Sequence, residues 1–585
     1  MRLWPWILSP TIAFSLAYQV QFVGVDDPMA LKALQDSSAL VSLISRPPAS
    51  INGLRYRAIN DIPGLIRTLH ALAYYDASIE PTFENDGDLI QVALLVSLGV
   101  QYKLSSYDVF NGDCRQIAIV PHCEPLTPEV LNLQIGQAAL STDIVNAELN
   151  LLTELSRCGY PLAYIDKRRV EVDLASKTVM AASCVSEGPL SKFGPVTMFG
   201  LEHVKPRFIE QKIDWEEGDI YDSDAITKTQ ERLLKTELFS SVYISHGDTL
   251  DDQGELPIRL RLTEAKHKRV TLGVYWATVD GPGGTFAWTN RNTFGMGEIV
   301  SAKGDFSKRF LAGNIALKIP DFLKFDQTLR SFIELSRLNI RAYIAFIYRG
   351  AAFLDWKMSE RGSLSLGLKV EHINISDSAA PGTYLLTGLP FFAKYFAADE
   401  VLDPSKGYAL IYSMTPYQSL FYSNQHFAKQ RFTANFYIPL APNKRLTLAL
   451  RFQAGSIAGA KQKDVPISKL FLGGSEDDLR GYRYKTVGPL NEERKPLGGR
   501  SAIFCSVEGR LRITKTIGVV PFADFGTVTF SQWPKFDEKW FKSVGAGVRY
   551  FAFFGPLRFD VGFPLDRRKG IDPKFQIYAS VGQAF

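Results

Sequence analysis

From about residue 268 to residue 585 the chain offers two-residue alternation and almost nothing else, and this one property limits what it can become. In VTLGVYW, Val270, Leu272, Val274 and Trp276 alternate with Thr271, Gly273 and Tyr275. SLSLGLKVEH sets Leu364, Leu366, Leu368 and Val370 against Ser365, Gly367, Lys369 and Glu371, and RLTLALRFQ, LRFDVGF and KFQIYASVGQAF repeat the pattern. Successive strand side chains point to opposite faces, so each segment has one apolar and one polar side. About sixteen such strands, at roughly twenty residues each with turns, fit tilted membrane-spanning strands of about 9–11 residues. A soluble sandwich also alternates, but here the polar faces carry Glu508, Arg510, Arg512, Arg549 and Asp560 opposite unbroken apolar ones. Lipid leaves an open sheet edge unsatisfied, so the expected form is a closed antiparallel transmembrane barrel over 267–585.

The opening residues, MRLWPWILSPTIAFSLA, combine Arg2, an apolar stretch and small residues Ser15 and Ala17, the pattern of a cleaved export signal over 1–17. Beyond it no run reaches the roughly 20 apolar residues of a spanning helix. The formal charge of +5 is too small and dispersed to argue for nucleic acid, and aromatics at 12% suit strands.

Residues 190–266 read as one β-α-α-β-β module. GPVTMFG is a strand and KPRFIEQKI a helical stretch. SDAITKTQERLLK keeps Ile226, Leu233 and Leu234 at helical spacing, and SVYISHG and LPIRLRLTEA are two further strands. The order recurs more faintly over 18–97 and 98–189, so three α+β modules in tandem are expected. Four cysteines, Cys114, Cys123, Cys158 and Cys184, lie in the middle module. An exported chain meets an oxidising compartment, and closure of a short loop favours Cys114 with Cys123. No C-x-x-C is present and the histidines are scattered, so no metal is expected.

One loop departs from the plain alternation: LFLGGSEDDLRGYRYKTVGPL, 470–490, dense in mixed charge. GGSEDDLRGY (473–482), GP at 488–489, PLGGRSAIFCSVEGRLR (496–512), VVPFADFGTV (519–528), SVGAGVRYFAFFGPLRFDVGFPLD (543–566) and YASVGQAF (578–585) together resemble the barrel of the BamA/TamA superfamily of outer-membrane assembly and translocation proteins. The upstream modules resemble its POTRA domains. Three POTRA domains and sixteen strands are similar to the TamA branch. The resemblance implies a periplasmic arm and an outer-membrane barrel that inserts or translocates outer-membrane clients, autotransporters among them. It also implies an inner-membrane-anchored TamB-type partner. A long loop is expected to fold into the barrel, its Arg-Gly-aromatic motif falling on Arg480, Gly481 and Tyr482, with acidic partners at Asp524 and Glu508. Strand phase points both carboxylates inward independently of the resemblance. Glu476, Asp477 and Asp478 are expected to face solvent.

A barrel of this kind has one seam, where the first strand with Val270, Leu272 and Val274 meets the last, which carries Gly582 and Phe585. Gly582 offers a kink, and Phe585 is expected on the outward apolar face of the last strand. GPGGTF (281–286) lacks the Lys-Ser/Thr of a phosphate loop, and GGSED is no nucleophile elbow. Neither an enzyme nor a nucleotide or other cofactor is expected. The competing reading is a two-partner-secretion exporter of one dedicated polypeptide.

Overall fold

The computed structural model describes residues 17–86, 89–277, 281–421, 425–553 and 555–585. The expected export segment lies outside them except for Ala17, which opens the strand Ala17–Val23. The chain divides into two compact units: residues 201–209, 236–240 and 264–585 form one, and the remainder the other.

Three small three-stranded sheets share one topology, in which the strand last in sequence is central. In the first, Leu89–Ser97 pairs in parallel with Ala17–Val23 and antiparallel with Ser78–Asp86. The second is built likewise from Lys103–Asn111, Thr178–Ser186 and Tyr164–Asp173, and the third places Glu255–Glu264 between Lys192–Phe199 and Phe239–His246. The helices differ from the expected pair per module. The first module has Pro28–Ser37, Ala39–Ser42 and Ile51–Ala71, and the third has Pro206–Glu210 and Ser223–Lys235. The middle module has only Ser141–Arg157. Pro121, Pro125 and Pro128 explain the missing helix, because each lacks the amide hydrogen that a helix interior uses.

The expected Cys114–Cys123 disulfide is corrected by the structure, which joins Cys114 to Cys184 and Cys123 to Cys158, with Cα separations of 5.2 and 5.4 Å. Sheet register decides this. Phe110 lies opposite Cys184, and the turn that follows returns Cys114 over the central strand, its amide donating to the Asn111 carbonyl. Cys158 caps the helix Ser141–Arg157, and Cys123, from the segment that precedes this helix, bonds to it there. Peptide mapping without reductant is expected to recover 114–184 and 123–158, and Cys184→Ser to lower the module's unfolding free energy by roughly 2–4 kcal/mol in denaturant titration.

The large sheet runs in sequence order through seventeen strands, from Lys268–Ala277 to Gln576–Val581. Two of them, Gly382–Gly388 and Phe391–Phe396, both pair with Gly362–Ser376 on one side and Gly407–Ser419 on the other. They occupy one place, interrupted at Pro390, which has no amide to give the ladder. Alternation is inverted relative to a soluble sandwich. Leu272 and Val274 on the first strand are 78% and 94% exposed, whereas Glu508, Arg549 and Asp560 are fully buried. Apolar side chains outside and charges inside suit a wall facing hydrocarbon. No helix among the described residues is long and apolar enough to cross a membrane.

The wall has two ends. At one, the turn 291–298 packs beside segment 201–209, where the Lys205 amide donates to the Gly295 carbonyl and Asn292 Nδ2 to the His203 carbonyl. Turn 397–406 and the last residues, 582–585, lie at this near end. Turns 308–309 and 341–342 and loop 459–500 lie at the far end.

Candidate functional site: an arginine clasp inside the sheet

Loop 459–500 connects Leu446–Ala458 to Ser501–Arg512 and folds back on itself through bridges Phe471↔Gly499, Gly473↔Val487 and Leu490↔Pro496. Its tip is set by Asp478, whose Oδ1 accepts the amides of Gly474, Ser475 and Leu479 at 2.9, 2.7 and 2.6 Å. Asp478 is therefore a half-buried turn-former and not the solvent-facing residue expected. Glu476 and Asp477 are exposed, and Glu476 also pairs with Arg558 at 3.2 Å.

The turn delivers Arg480 inside, 1% exposed. Its Nε and Nη2 each donate to Asp524 at 2.7 Å, and its backbone amide reaches Asp524 Oδ2 at 3.1 Å. Nη1 donates to Glu508 at 2.6 Å and to Asp560 at 3.1 Å. The Phe522 ring lies beneath the guanidinium, 3.5 Å from Cζ to centroid. Strand pairing aligns these groups: Asp524 faces Ser506, Glu508 faces Phe522, and Asp560 faces Tyr578. The three carboxylates are satisfied further by Arg510 on Glu508 (3.0 Å) and by Arg549 (2.5 Å) and Arg558 (2.9 Å) on Asp560. Burial opposes a charged guanidinium, but Asp524 and Glu508 outweigh it and hold Arg480 above its ordinary pKa.

Gly481 has φ +87°, and a Cβ there would sit 3.0 Å from the Pro564 nitrogen and 3.1 Å from the Gly562 and Phe563 carbonyl carbons. Backbone cannot yield as a flexible side chain does, so this close approach requires glycine. Its amide donates to the Tyr578 hydroxyl at 2.8 Å. Tyr482 Oη donates to the Lys542 carbonyl at 2.7 Å, and its ring meets Phe541 edge-on at 5.6 Å. Arg480, Gly481, Tyr482, Glu508 and Asp524 thus come together. Sequence reasoning had noted Asp560 only as an inward charge and had missed Tyr578 and Phe522 as partners, though all three lie on the inward phase of their strands.

The loop is held on the opposite wall as well. Lys469 Nζ donates to Glu371 Oε2 at 2.6 Å, Arg349 Nε donates to the other oxygen at 2.6 Å, and Lys429 Nζ donates to the Lys469 carbonyl at 2.6 Å.

The model of the Omp85 superfamily domain matches residues 292–585, half of the chain. The chain belongs to the Omp85 superfamily. This Omp85 chain is 23% identical over 542 residues to the outer membrane protein assembly factor BamA of Nitratidesulfovibrio vulgaris, covering 88% of the chain and 66% of that relative. It is 20% identical over 458 residues to BamA of Neisseria meningitidis, covering 67% of the chain and 56% of that relative. It therefore spans less than two thirds of the length of these relatives. The crystal structure of Haemophilus ducreyi BamA lacking POTRA domains 1–3 superposes with a TM-score of 0.72 at 18% identity, over 82% of this chain and 100% of that one, a likeness of fold.

The edges of the Omp85 sheet are unequal. Lys268–Ala277 pairs along ten residues with Gly281–Asn290, whereas Gln576–Val581 pairs along six with Gly555–Pro564. Among the described residues no ladder joins the first strand to the last, so Val270, Leu272 and Val274 are not paired with the last strand. Gly582, at φ +93°, turns the chain off the sheet, its amide donating to the Pro556 carbonyl at 2.7 Å. Gln583 then accepts from Arg549 Nε at 2.7 Å, donates to Asp403 at 2.9 Å, and gives its amide to the Leu402 carbonyl at 3.1 Å. Phe585 is corrected from the outward face. The left-handed turn at Gly582 breaks the alternation, and the Phe585 ring lies 4.4 Å from Arg451 Cζ and 5.2 Å from Arg510 Cζ, its carbonyl accepting from Arg510 at 2.7 Å.

Proposed function

We propose that this chain is an outer-membrane protein assembly and translocation factor. The large sheet acts as a sixteen-stranded barrel over 267–585, and the modules at 18–97, 98–189 and 190–266 act as periplasmic POTRA domains. The observation that carries the reading is the arginine of an inserted loop gripped by three inward carboxylates within a wall whose outer face is apolar. A passive channel has no need of such a loop. The clasp holds loop 459–500 inside as a fixed support, leaving the seam between the first and last strands as the part of the wall free to act.

A parted seam exposes unpaired amides and carbonyls, which can template an incoming strand. The client's own burial of apolar side chains in lipid supplies the driving force, and the seam supplies the register. The edge strands of the modules offer a second surface for extended clients on the periplasmic side. The TamA-like reading adds autotransporters as clients and a TamB-type partner. It is supported by the three small sheets, each with its third strand central and its first strand paired to it in parallel.

Depletion of the protein followed by quantitative proteomics of the outer membrane is expected to lower several β-barrel proteins together, autotransporters most. Loss of a single secreted polypeptide with barrels unchanged would reject the assembly role in favour of a dedicated exporter.

A further inference from the structure

The far end of the sheet carries a cavity of about 480 Å³ between the strand turns and the inserted loop. Five cations converge on it: Lys308 and Arg309 from one turn, Arg341 from the next, and Arg483 and Arg494 from the loop. Two carboxylates share the lining, Asp377 and Glu493, and both are engaged by a sixth cation, Lys495, at 3.0 and 3.9 Å. Arg341 and Arg494 each give one N–H to backbone, the carbonyls of Gly570 (3.4 Å) and Lys569 (3.3 Å), which fixes the guanidiniums without neutralising them. No ion pair to Lys308, Arg309, Arg341, Arg483 or Arg494 is present among the described residues. Burial, then the guanidiniums of Arg483 and Arg568, pull Arg341 below its ordinary pKa, with Asp572 partly opposing. Positive charge is therefore gathered here without matching negative charge on the protein.

We propose that this cavity binds a phosphate-bearing anion. Guanidiniums present paired N–H groups that match phosphate oxygens, whereas a carboxylate would use fewer of them. The position also suits a lipid headgroup. This part of the inference rests on the reading of the sheet as a bilayer-spanning wall. Lys308 and Arg309 form the turn directly capping strands of 9 and 11 residues, lengths that cross the hydrocarbon and end at the headgroup layer. The phosphate monoester of a lipid and free inorganic phosphate share this chemistry. Because Arg483 stands three residues beyond Arg480, an anion held there would brace the inserted loop from the far side, opposite its clasp.

The test uses the full chain in two forms. Purified in a neutral detergent, it is titrated with inorganic phosphate by calorimetry. Reconstituted in phosphatidylcholine vesicles with or without phosphatidic acid, it is then extracted and scored for retained phosphatidic acid by native mass spectrometry. Saturable binding in either arm is expected, weakened roughly tenfold or more by Lys308→Gln/Arg309→Gln and again by Arg341→Gln. These are turn substitutions whose folding is checked by circular dichroism. Retention of the lipid without phosphate binding assigns a headgroup, and binding of both assigns a general phosphate site. Absence of saturable binding in both arms, or equal binding by the variants, would overturn the proposal. Phosphate binding in detergent by a chain that fails to enter vesicles would leave the anion site standing and remove the bilayer-spanning reading instead.

Discussion

Arg480→Ala is expected to abolish client assembly while the barrel still reaches the membrane. The substitution leaves Glu508, Asp524 and Asp560, each at most 1% exposed, without their shared counter-ion. Removing one partner from a buried ion pair costs roughly 3–5 kcal/mol, and here one guanidinium serves three carboxylates. The wall itself survives, because its strands are held by ladders that do not involve the loop, and Arg510, Arg549 and Arg558 still neutralise Glu508 and Asp560. The loop tip, by contrast, loses the four hydrogen bonds that the Arg480 side chain makes to these acids and keeps only the one from its backbone amide. Arg480→Lys is expected to recover only part of the loss, because an ammonium cannot grip Asp524 with two parallel bonds and reach Glu508 and Asp560 as well. Limited proteolysis of intact cells measures loop release, and client levels in the outer membrane measure function. A variant with wild-type assembly and a protected loop would show that the clasp is dispensable.

Crosslinking the seam is expected to have an effect as large. Cysteines stepped along Lys268–Ala277 and Gln576–Val581, in a Cys505→Ser background, should form a disulfide wherever two positions face one another. Cys505 is the one free thiol among the described residues. Formation of the bond should block client assembly, and reductant should restore it. Full activity in a quantitatively crosslinked protein would remove the seam as the working part. Loss of activity that reductant does not reverse would point to damage by the substitutions alone.

The sequence made the wall legible because a two-residue period is a local signal, and it made Glu508 and Asp524 legible because inward phase can be counted along a strand. What escaped depends on which elements meet. Asp560 joins Arg480 only because strand Gly555–Pro564 lies two places from Ile517–Thr529, a matter of sheet order. The disulfides follow the parallel register of Phe110 with Cys184, 74 positions apart in the chain. The single helix of the middle module is a different case, since Pro121, Pro125 and Pro128 are local signals against a helix that a repeat of the module pattern does not carry. Phe585 was placed by carrying the alternation through Gly582, where a glycine with positive φ ends it.

That turn has a mechanical consequence. The final strand is laced to its neighbour by six residue pairs, yet its foot is moored by Gln583 to Arg549 and Asp403 and by Phe585 to Arg510. A strand fastened at one end and thinly stitched along its length peels from the other. Any widening of the wall would therefore start at the end that carries loop 459–500 and travel toward turn 397–406, while the moored foot keeps the peptide in register to close again.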